Sequence, residues 1–152
     1  MTDSFGSPID SNMIKSDEKL LSLFSHLSLF LGGIWLPLIF WLTNKDKSKF
    51  ITFHALQALW FHLAYVVLIV VVGIFLIVGG AGISIITSTG KSGEPPVFMI
   101  IAIIAFYALI FVFIFAGIGY SVFMGIKSYQ GNLNKYPIIG KMVYNRVYGV
   151  NV

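Results

Sequence analysis

Three histidines and one glutamine have the greatest capacity for chemistry in this sequence, because they lie inside long uncharged segments. His54 and Gln57 are three positions apart, and His62 lies about 80° around a helix from His54. His26 belongs to an earlier segment. Ionisable groups at membrane depth often face a partner, an ion or a water-filled cavity. The competing interpretation places His54–His62 at a membrane interface, where the presence of an imidazole does not indicate a specific function. The basic turn just before this segment favours the interface.

Metal, cofactor and catalytic functions find little support. A site built from all three histidines would need a ligand spacing that resembles a zinc pattern, and this spacing does not. All six acidic residues lie outside the uncharged segments, and no catalytic motif is present. We therefore predict no bound metal, no cofactor and no enzymatic activity.

Small residues mark two helix faces that are predicted to pack. His26 shares a narrow stripe with Ser22, Ser25 and Gly33, which is typical of a helix that packs against a neighbour. A proton relay at His26 would need a carboxylate partner at the same depth, and the sequence has none there. A second stripe repeats small residues every four positions, and it could serve packing within the monomer or homodimerisation. Its members are Gly117, Ser121 and Gly125.

Composition indicates the class of protein. The chain has 152 residues, of which 57% are hydrophobic and only 11% are charged, whereas soluble domains have about 25% charged residues. Residues 20–44, 50–90 and 95–126 contain no Asp, Glu, Lys or Arg. Each segment exceeds the ~20 apolar residues that cross a bilayer as a helix. The sequence therefore predicts an all-α, polytopic integral membrane protein.

We predict three transmembrane helices and two tails. The N-terminal tail, 1–19, is expected to be mobile, and the C-terminal tail, 127–152, is basic and aromatic. The membrane domain covers 20–126, and an interfacial amphipathic stretch is expected before its second span. Pro37 is expected to kink the first span. The spans are predicted at about 20–43, 58–83 and 97–126.

The distribution of Lys and Arg predicts an orientation. With three spans, the first loop and the C-terminal tail share one side and hold seven basic residues, against three on the other side. The positive-inside rule then places the N-terminus outside and the C-terminus in the cytoplasm. The membrane is expected to be a bacterial inner membrane. The tail lies directly after a span, which favours contact with anionic membrane lipids over nucleic acid.

One stretch carries a resemblance to a known family. HLSLFLGGIWLPLIFWLTNKDKSKFITFHALQALWFHL, which begins at His26 and ends at Leu63, resembles the signature of bacterial Tic-twenty-like membrane proteins. These are distantly related to a protein-import component of the chloroplast inner envelope. The later Gly131 and the pair Tyr136-Pro137 also match the family. The resemblance implies that His54 and Gln57 face a partner or a pore.

These observations leave two hypotheses for function. The first is a small accessory or scaffold subunit that binds other membrane proteins or itself, with His26, His54, Gln57 and His62 as candidate contact positions. The second, which the resemblance implies, is an oligomeric pore or protein-translocation component. Three spans alone enclose no path, so transport would require assembly.

Overall fold

The computed structural model describes residues 13–31, 33–89 and 97–149, and within them the chain is all helical. The helices are α1 (Ser16–Leu31), α2 (Trp35–Asn44), α3 (Lys49–Thr89), α4 (Val97–Tyr129) and α5 (Ile139–Tyr148). The all-α prediction is therefore confirmed for the described part of the chain.

The segment predicted as the first span is divided into α1 and α2. Gly33 adopts a left-handed φ of +54°, and its N–H donates to the Ser28 carbonyl at 2.6 Å. Pro37 kinks no continuous helix, because it is the third residue of α2, in the first turn, where no backbone N–H is required. With 16 and 10 residues, the two helices measure about 24 and 15 Å. Both are shorter than a hydrocarbon core of about 30 Å.

Helix α3 is continuous over 41 residues. The Ser48 hydroxyl caps it by accepting the N–H of Ile51 at 3.3 Å. All ten residues of 50–59 are buried. The segment predicted as an interfacial stretch is thus interior, because the C-terminal segment packs onto it. After Leu63, most side chains of α3 are exposed.

Two helices are long and apolar enough to cross a membrane. They are Lys49–Ile85 and Val97–Tyr129, and the most apolar 18-residue windows within them have mean hydropathies of 3.0 and 3.1. Their most apolar stretches carry Val, Ile, Leu and Phe side chains that are largely exposed, and an apolar surface of this extent is typical of a membrane or protein interaction surface. The prediction of three spans is not confirmed, because the break at Gly33 leaves no third helix of sufficient length among the described residues.

The chain forms two compact units. Unit 1 comprises Met1–Ala64 and Ile118–Val152, and unit 2 comprises Tyr65–Gly117. In unit 2 the Tyr65 hydroxyl donates to the Ile114 carbonyl at 2.6 Å. A cavity of about 360 Å³ opens between α3 and α4 of this unit, with an apolar lining.

The core of unit 1 joins the start of α3 to α5. Its central residues are Phe53, Leu56, Leu59, Val143 and Tyr144. The side chains of α2 and of the loop before α5 pack around them. The segment that the sequence presented as a basic tail therefore contributes half of a hydrophobic core.

A glycine cap and a strained residue direct the chain from α4 to α5. Gly131 has a φ of +81°, and the N–H of Asn132 donates to the Lys127 carbonyl at 3.1 Å, which together form a Schellman motif. Ile138 has a φ of +65°, a conformation that costs a branched residue about 1–3 kcal/mol. The surrounding structure must compensate for this strain.

A substitution at Gly117 tests the packing in unit 2. A Cβ there would lie 2.5 Å from the Tyr65 ring, and moving that ring would break its hydrogen bond to Ile114. We expect Gly117→Ala to lower stability by about 1–3 kcal/mol. Gly119 is the control, because nothing lies within 4 Å of its Cβ position. Unfolding by SDS in mixed micelles measures both variants, and equal loss of stability would contradict the packing.

Candidate functional site

Two histidines meet at the centre of unit 1. His26 Nε2 on α1 lies 3.2 Å from His54 Nδ1 on α3, and both side chains are 0% exposed. Their rings meet edge to face, with centroids 5.4 Å apart. A neutral imidazole offers one donor and one acceptor. A hydrogen bond between these nitrogens therefore needs one ring to donate and the other to accept.

Tyr136 extends this bond into a chain of three side chains. Its hydroxyl lies 3.2 Å from His26 Nδ1. Burial raises the pKa of the Tyr136 hydroxyl above its usual value, and a bond to Ser121 opposes the shift in part. The hydroxyl therefore stays protonated at neutral pH. Two proton arrangements satisfy both bonds. Either Tyr136 donates to His26 and His26 to His54, or each donation runs the other way.

Gln57 forms two hydrogen bonds to the backbone of the loop that carries Tyr136, and we call this pair of bonds the clasp. Its Oε1 accepts the Tyr136 N–H at 2.9 Å, and its Nε2 donates to the Asn134 carbonyl at 3.1 Å. A Cβ at position 140 would lie 2.7 Å from the Gln57 Oε1 atom, so the clasp requires the glycine found there. Both polar ends of a fully buried amide are thereby satisfied.

Aromatic rings enclose the polar side chains. Phe61 stacks on Tyr136 with centroids 4.5 Å apart, and Tyr120 meets the same ring edge on at 5.3 Å. Phe50 and Phe53 meet the His54 ring at 4.6 and 5.0 Å. The cluster is therefore shielded from bulk solvent and closely packed, which strengthens its hydrogen bonds and makes an unpaired polar atom costly.

His62 lies one helical turn after Leu59 on α3, and it has a separate structural role. Its Nδ1–H donates to the Gly33 carbonyl at 3.2 Å, which holds the turn between α1 and α2. Two buried imidazole nitrogens, Nε2 of His54 and Nε2 of His62, have no hydrogen-bond partner in the described part of the chain. All four polar positions predicted from sequence thus lie in unit 1, and they bond to the protein's own helices and loops.

The stripe of small residues on α4 lies against other parts of the chain. The Ser121 hydroxyl donates to the His26 carbonyl at 2.7 Å. A Cβ at Gly125 would lie 3.1 Å from the Leu23 side chain and 3.4 Å from that of His26. Gly117 lies against Tyr65 in unit 2. Each member therefore has a packing role within the monomer.

The chemistry available to this cluster is limited by what surrounds it. Within residues 13–31, 33–89 and 97–149, no three His, Cys, Asp or Glu side chains are arranged to hold a metal ion. All six acidic residues lie outside the uncharged segments that supply the histidines, so a charged imidazolium would be buried at high cost. The arrangement buries polar groups inside the fold, and its hydrogen bonds hold α1, α3 and the C-terminal loop together.

Sequence reasoning missed the central role of Tyr136. It was named only as part of the Tyr136-Pro137 match, and no spacing rule connects it to His26, 110 positions earlier. The available sequence signal was a polar aromatic residue in a turn, in a chain whose apolar segments contain histidines without an evident partner. That signal is weak.

The fold and the cluster define the class of protein: a small, all-α integral membrane protein whose interior polar groups bond to one another. A family profile that covers residues 17–143 gives the family. The chain belongs to the magnetosome magnetite crystal formation protein family (MamF/MmsF). No curated protein and no solved structure matches it.

The resemblance to Tic-twenty-like proteins was wrong. The family profile that matches is the magnetosome one, and it covers the same stretch from His26 to Leu63. The residues that carried the resemblance have structural roles here: His26 and His54 bond to each other, and Pro37 lies in the first turn of α2. Such roles recur in unrelated membrane proteins, so they identify a family poorly. The pore hypothesis depended on this resemblance and is not supported.

Replacing Gln57 tests whether the clasp holds the C-terminal segment. We expect Gln57→Ala to cost about 2–4 kcal/mol, because it leaves a buried N–H and a buried C=O unpaired. Trypsin should then cleave faster after Lys135 and Lys141 at the released segment. Gln130→Ala is the matched control at an exposed position. Equal cleavage rates for the two variants would show that the clasp is dispensable.

Proposed function

We propose that this chain is a non-enzymatic accessory or scaffold subunit of the magnetosome membrane. It would promote formation of the magnetite crystal by binding other membrane proteins or further copies of itself. Membership of the magnetosome magnetite crystal formation family supports the compartment and the process. The two long apolar helices support insertion in its membrane.

One geometric observation carries the non-enzymatic part of the proposal. His26, His54 and Gln57 are fully buried, and they bond to one another or to the backbone. Groups placed in this way hold helices together, whereas catalytic groups must reach a substrate. The polar cluster is therefore assigned to the architecture of unit 1, and the exposed surfaces are left for partners.

We further propose that both ends of the described chain face the cytoplasm. Two spans return the chain to the side on which it started. Nine of the ten Lys and Arg residues then lie on that side, because only Lys91 lies between the spans. The asymmetry is larger than the seven against three that three spans give, and the positive-inside rule favours it.

Cysteine labelling distinguishes the two topologies, and the chain contains no native cysteine. Single cysteines replace Met13, Lys47 and Lys141, and an impermeant maleimide is applied to intact cells and to inverted vesicles. Two spans predict labelling of all three from the cytoplasmic side. Labelling of Met13→Cys from the opposite side alone would favour three spans and contradict this topology.

Variants in a magnetosome-forming cell test the proposed function. Deletion of the gene should change crystal size or number, as measured by electron microscopy. Tyr136→Phe keeps the ring stacking and the backbone clasp and removes only the hydroxyl, with its bonds to His26 and Ser121. We expect normal crystals from it at normal protein levels. Loss of crystals with unchanged protein level and location would indicate chemistry at the cluster and overturn the proposal.

Isolation from magnetosome membranes tests binding to partners. We expect the protein, extracted in a mild detergent after brief crosslinking, to migrate with a second membrane protein in fixed ratio or as an oligomer. A monomer as the sole species at all crosslinker concentrations would contradict the scaffold role.

A further inference from the structure

Helices α1 and α2 form a hairpin whose direction follows from their contacts with α3. His26 on α1 lies beside His54 on α3, and the Gly33 carbonyl after α1 accepts a hydrogen bond from His62, two turns further along α3. Helix α2 then returns toward the start of α3. The carbonyl of Asn44, its last residue, accepts a hydroxyl from the first turn of α3 at 3.1 Å. Gly33 therefore marks the closed end of the hairpin, and the two other helix ends form its open end.

The hairpin has polar side chains inside and apolar side chains outside. On α1 the buried residues are all polar: Ser22, Ser25, His26 and Ser28. The large apolar side chains exposed on the two helices are Leu20, Phe24, Phe30, Leu31, Trp35, Ile39 and Leu42. A surface helix of a protein in water has the opposite arrangement, with its apolar stripe toward the core. This inverted arrangement is typical of a helix in lipid, where polar groups turn toward the protein interior.

Apolar exposure is greatest at the closed end. Leu31 is 68% exposed and Trp35 is 73% exposed, and they lie on either side of Gly33. Residues 20–44 contain no Asp, Glu, Lys or Arg. Charged residues flank the open end instead, namely Lys15, Asp17, Glu18, Lys19, Lys45, Asp46 and Lys47. The hairpin is therefore charged where it opens and apolar where it closes.

Backbone groups at the closed end have partners inside the protein. The Gly33 N–H donates to the Ser28 carbonyl at 2.6 Å, and the Gly33 carbonyl accepts from His62 at 3.2 Å. The Ile34 carbonyl accepts the Leu38 N–H at 3.2 Å. A turn in water can leave such groups to the solvent, whereas non-helical backbone at membrane depth must be satisfied by the protein. The turn at Gly33 meets that requirement with a side chain from another helix.

We propose that the closed end of the α1–α2 hairpin inserts into one leaflet of the membrane that the protein spans and contacts its acyl chains. The hairpin enters and leaves on the same side, because α2 measures about 15 Å and the hydrocarbon core about 30 Å. A protein partner would be expected to meet a polar rim, and the charged residues near this surface lie only at the open end. This inference rests on the two-span topology proposed above and does not require the role in crystal formation.

Spin labels on single cysteines test the insertion, since the chain has no native cysteine. Cysteine replaces Leu31, Trp35 or Lys47, which are all exposed, so folding should be retained. The labelled protein is placed in vesicles of phosphatidylethanolamine and phosphatidylglycerol. Electron paramagnetic resonance then compares collisions with oxygen, which concentrates among acyl chains, and with a water-soluble nickel chelate. We expect oxygen to dominate at positions 31 and 35, and the ratio to reverse at the control position 47.

Two results would overturn the proposal. Dominance of the nickel chelate at positions 31 and 35 would place the closed end in water. Protection of both positions from oxygen and from nickel would place protein against them. In that case, loss of dipolar broadening on dilution with unlabelled protein would identify the covering protein as a second copy, and no broadening would identify a different partner.

Maleimide labelling of Met13→Cys and Lys47→Cys separates this inference from the topology on which it rests. Labelling of both from the cytoplasmic side, with positions 31 and 35 in lipid, is the expected combination. Labelling of both from that side with positions 31 and 35 in water would contradict the inserted hairpin and leave two spans in place. Labelling from opposite sides with positions 31 and 35 in lipid would show that the segment 20–43 crosses the membrane, and both proposals would fail.

Discussion

Unit 1 depends on one constraint: polar groups removed from water must find partners inside the protein. His26, Gln57, Tyr136 and the Nδ1 atom of His54 satisfy it by bonding to one another and to the backbone of a single loop. Each of these bonds joins different parts of the chain. The polar groups thereby hold together elements that apolar packing alone would leave free to slide, since hydrophobic contact has no direction.

The same constraint explains why α3 has two different halves. Its first ten residues after Lys49 are buried by the protein, and most side chains after Leu63 are exposed. A histidine or glutamine in the second half would face lipid without a partner, at considerable cost. In the first half, α1 supplies a partner for His54 and the C-terminal loop supplies partners for Gln57, so the helix can carry both residues there. One continuous helix thus combines a protein interior with a candidate membrane span.

Membership of the magnetosome magnetite crystal formation family changes how the cluster is interpreted. Under the import-family resemblance, His54 and Gln57 were positions that face a pore or a partner. In the structure they are interior residues whose partners lie in the same chain. The exposed surface of the chain includes the apolar sides of the two long helices instead.

The sequence by itself determined the class of the protein, because length and lack of charge are local properties of a segment. The apolar runs within Lys49–Ile85 and Val97–Tyr129 are recognisable without any neighbour. The importance of His26, His54, Gln57 and His62 was also visible, since a polar residue in an apolar run is unusual wherever its partner lies. The spacing of Gly117, Ser121 and Gly125 likewise indicated close helix packing.

Only the tertiary structure decided which groups meet. The run at 20–43 is long enough to cross a membrane, yet it turns at Gly33, whose carbonyl His62 holds from another helix. Tyr136 and α5 complete the interior of unit 1 from a segment that, by composition alone, belonged on the surface. Sequence patterns report the preference of each segment in isolation. A hydrogen bond between residues 110 positions apart depends on how the chain folds back, and no local pattern contains that information.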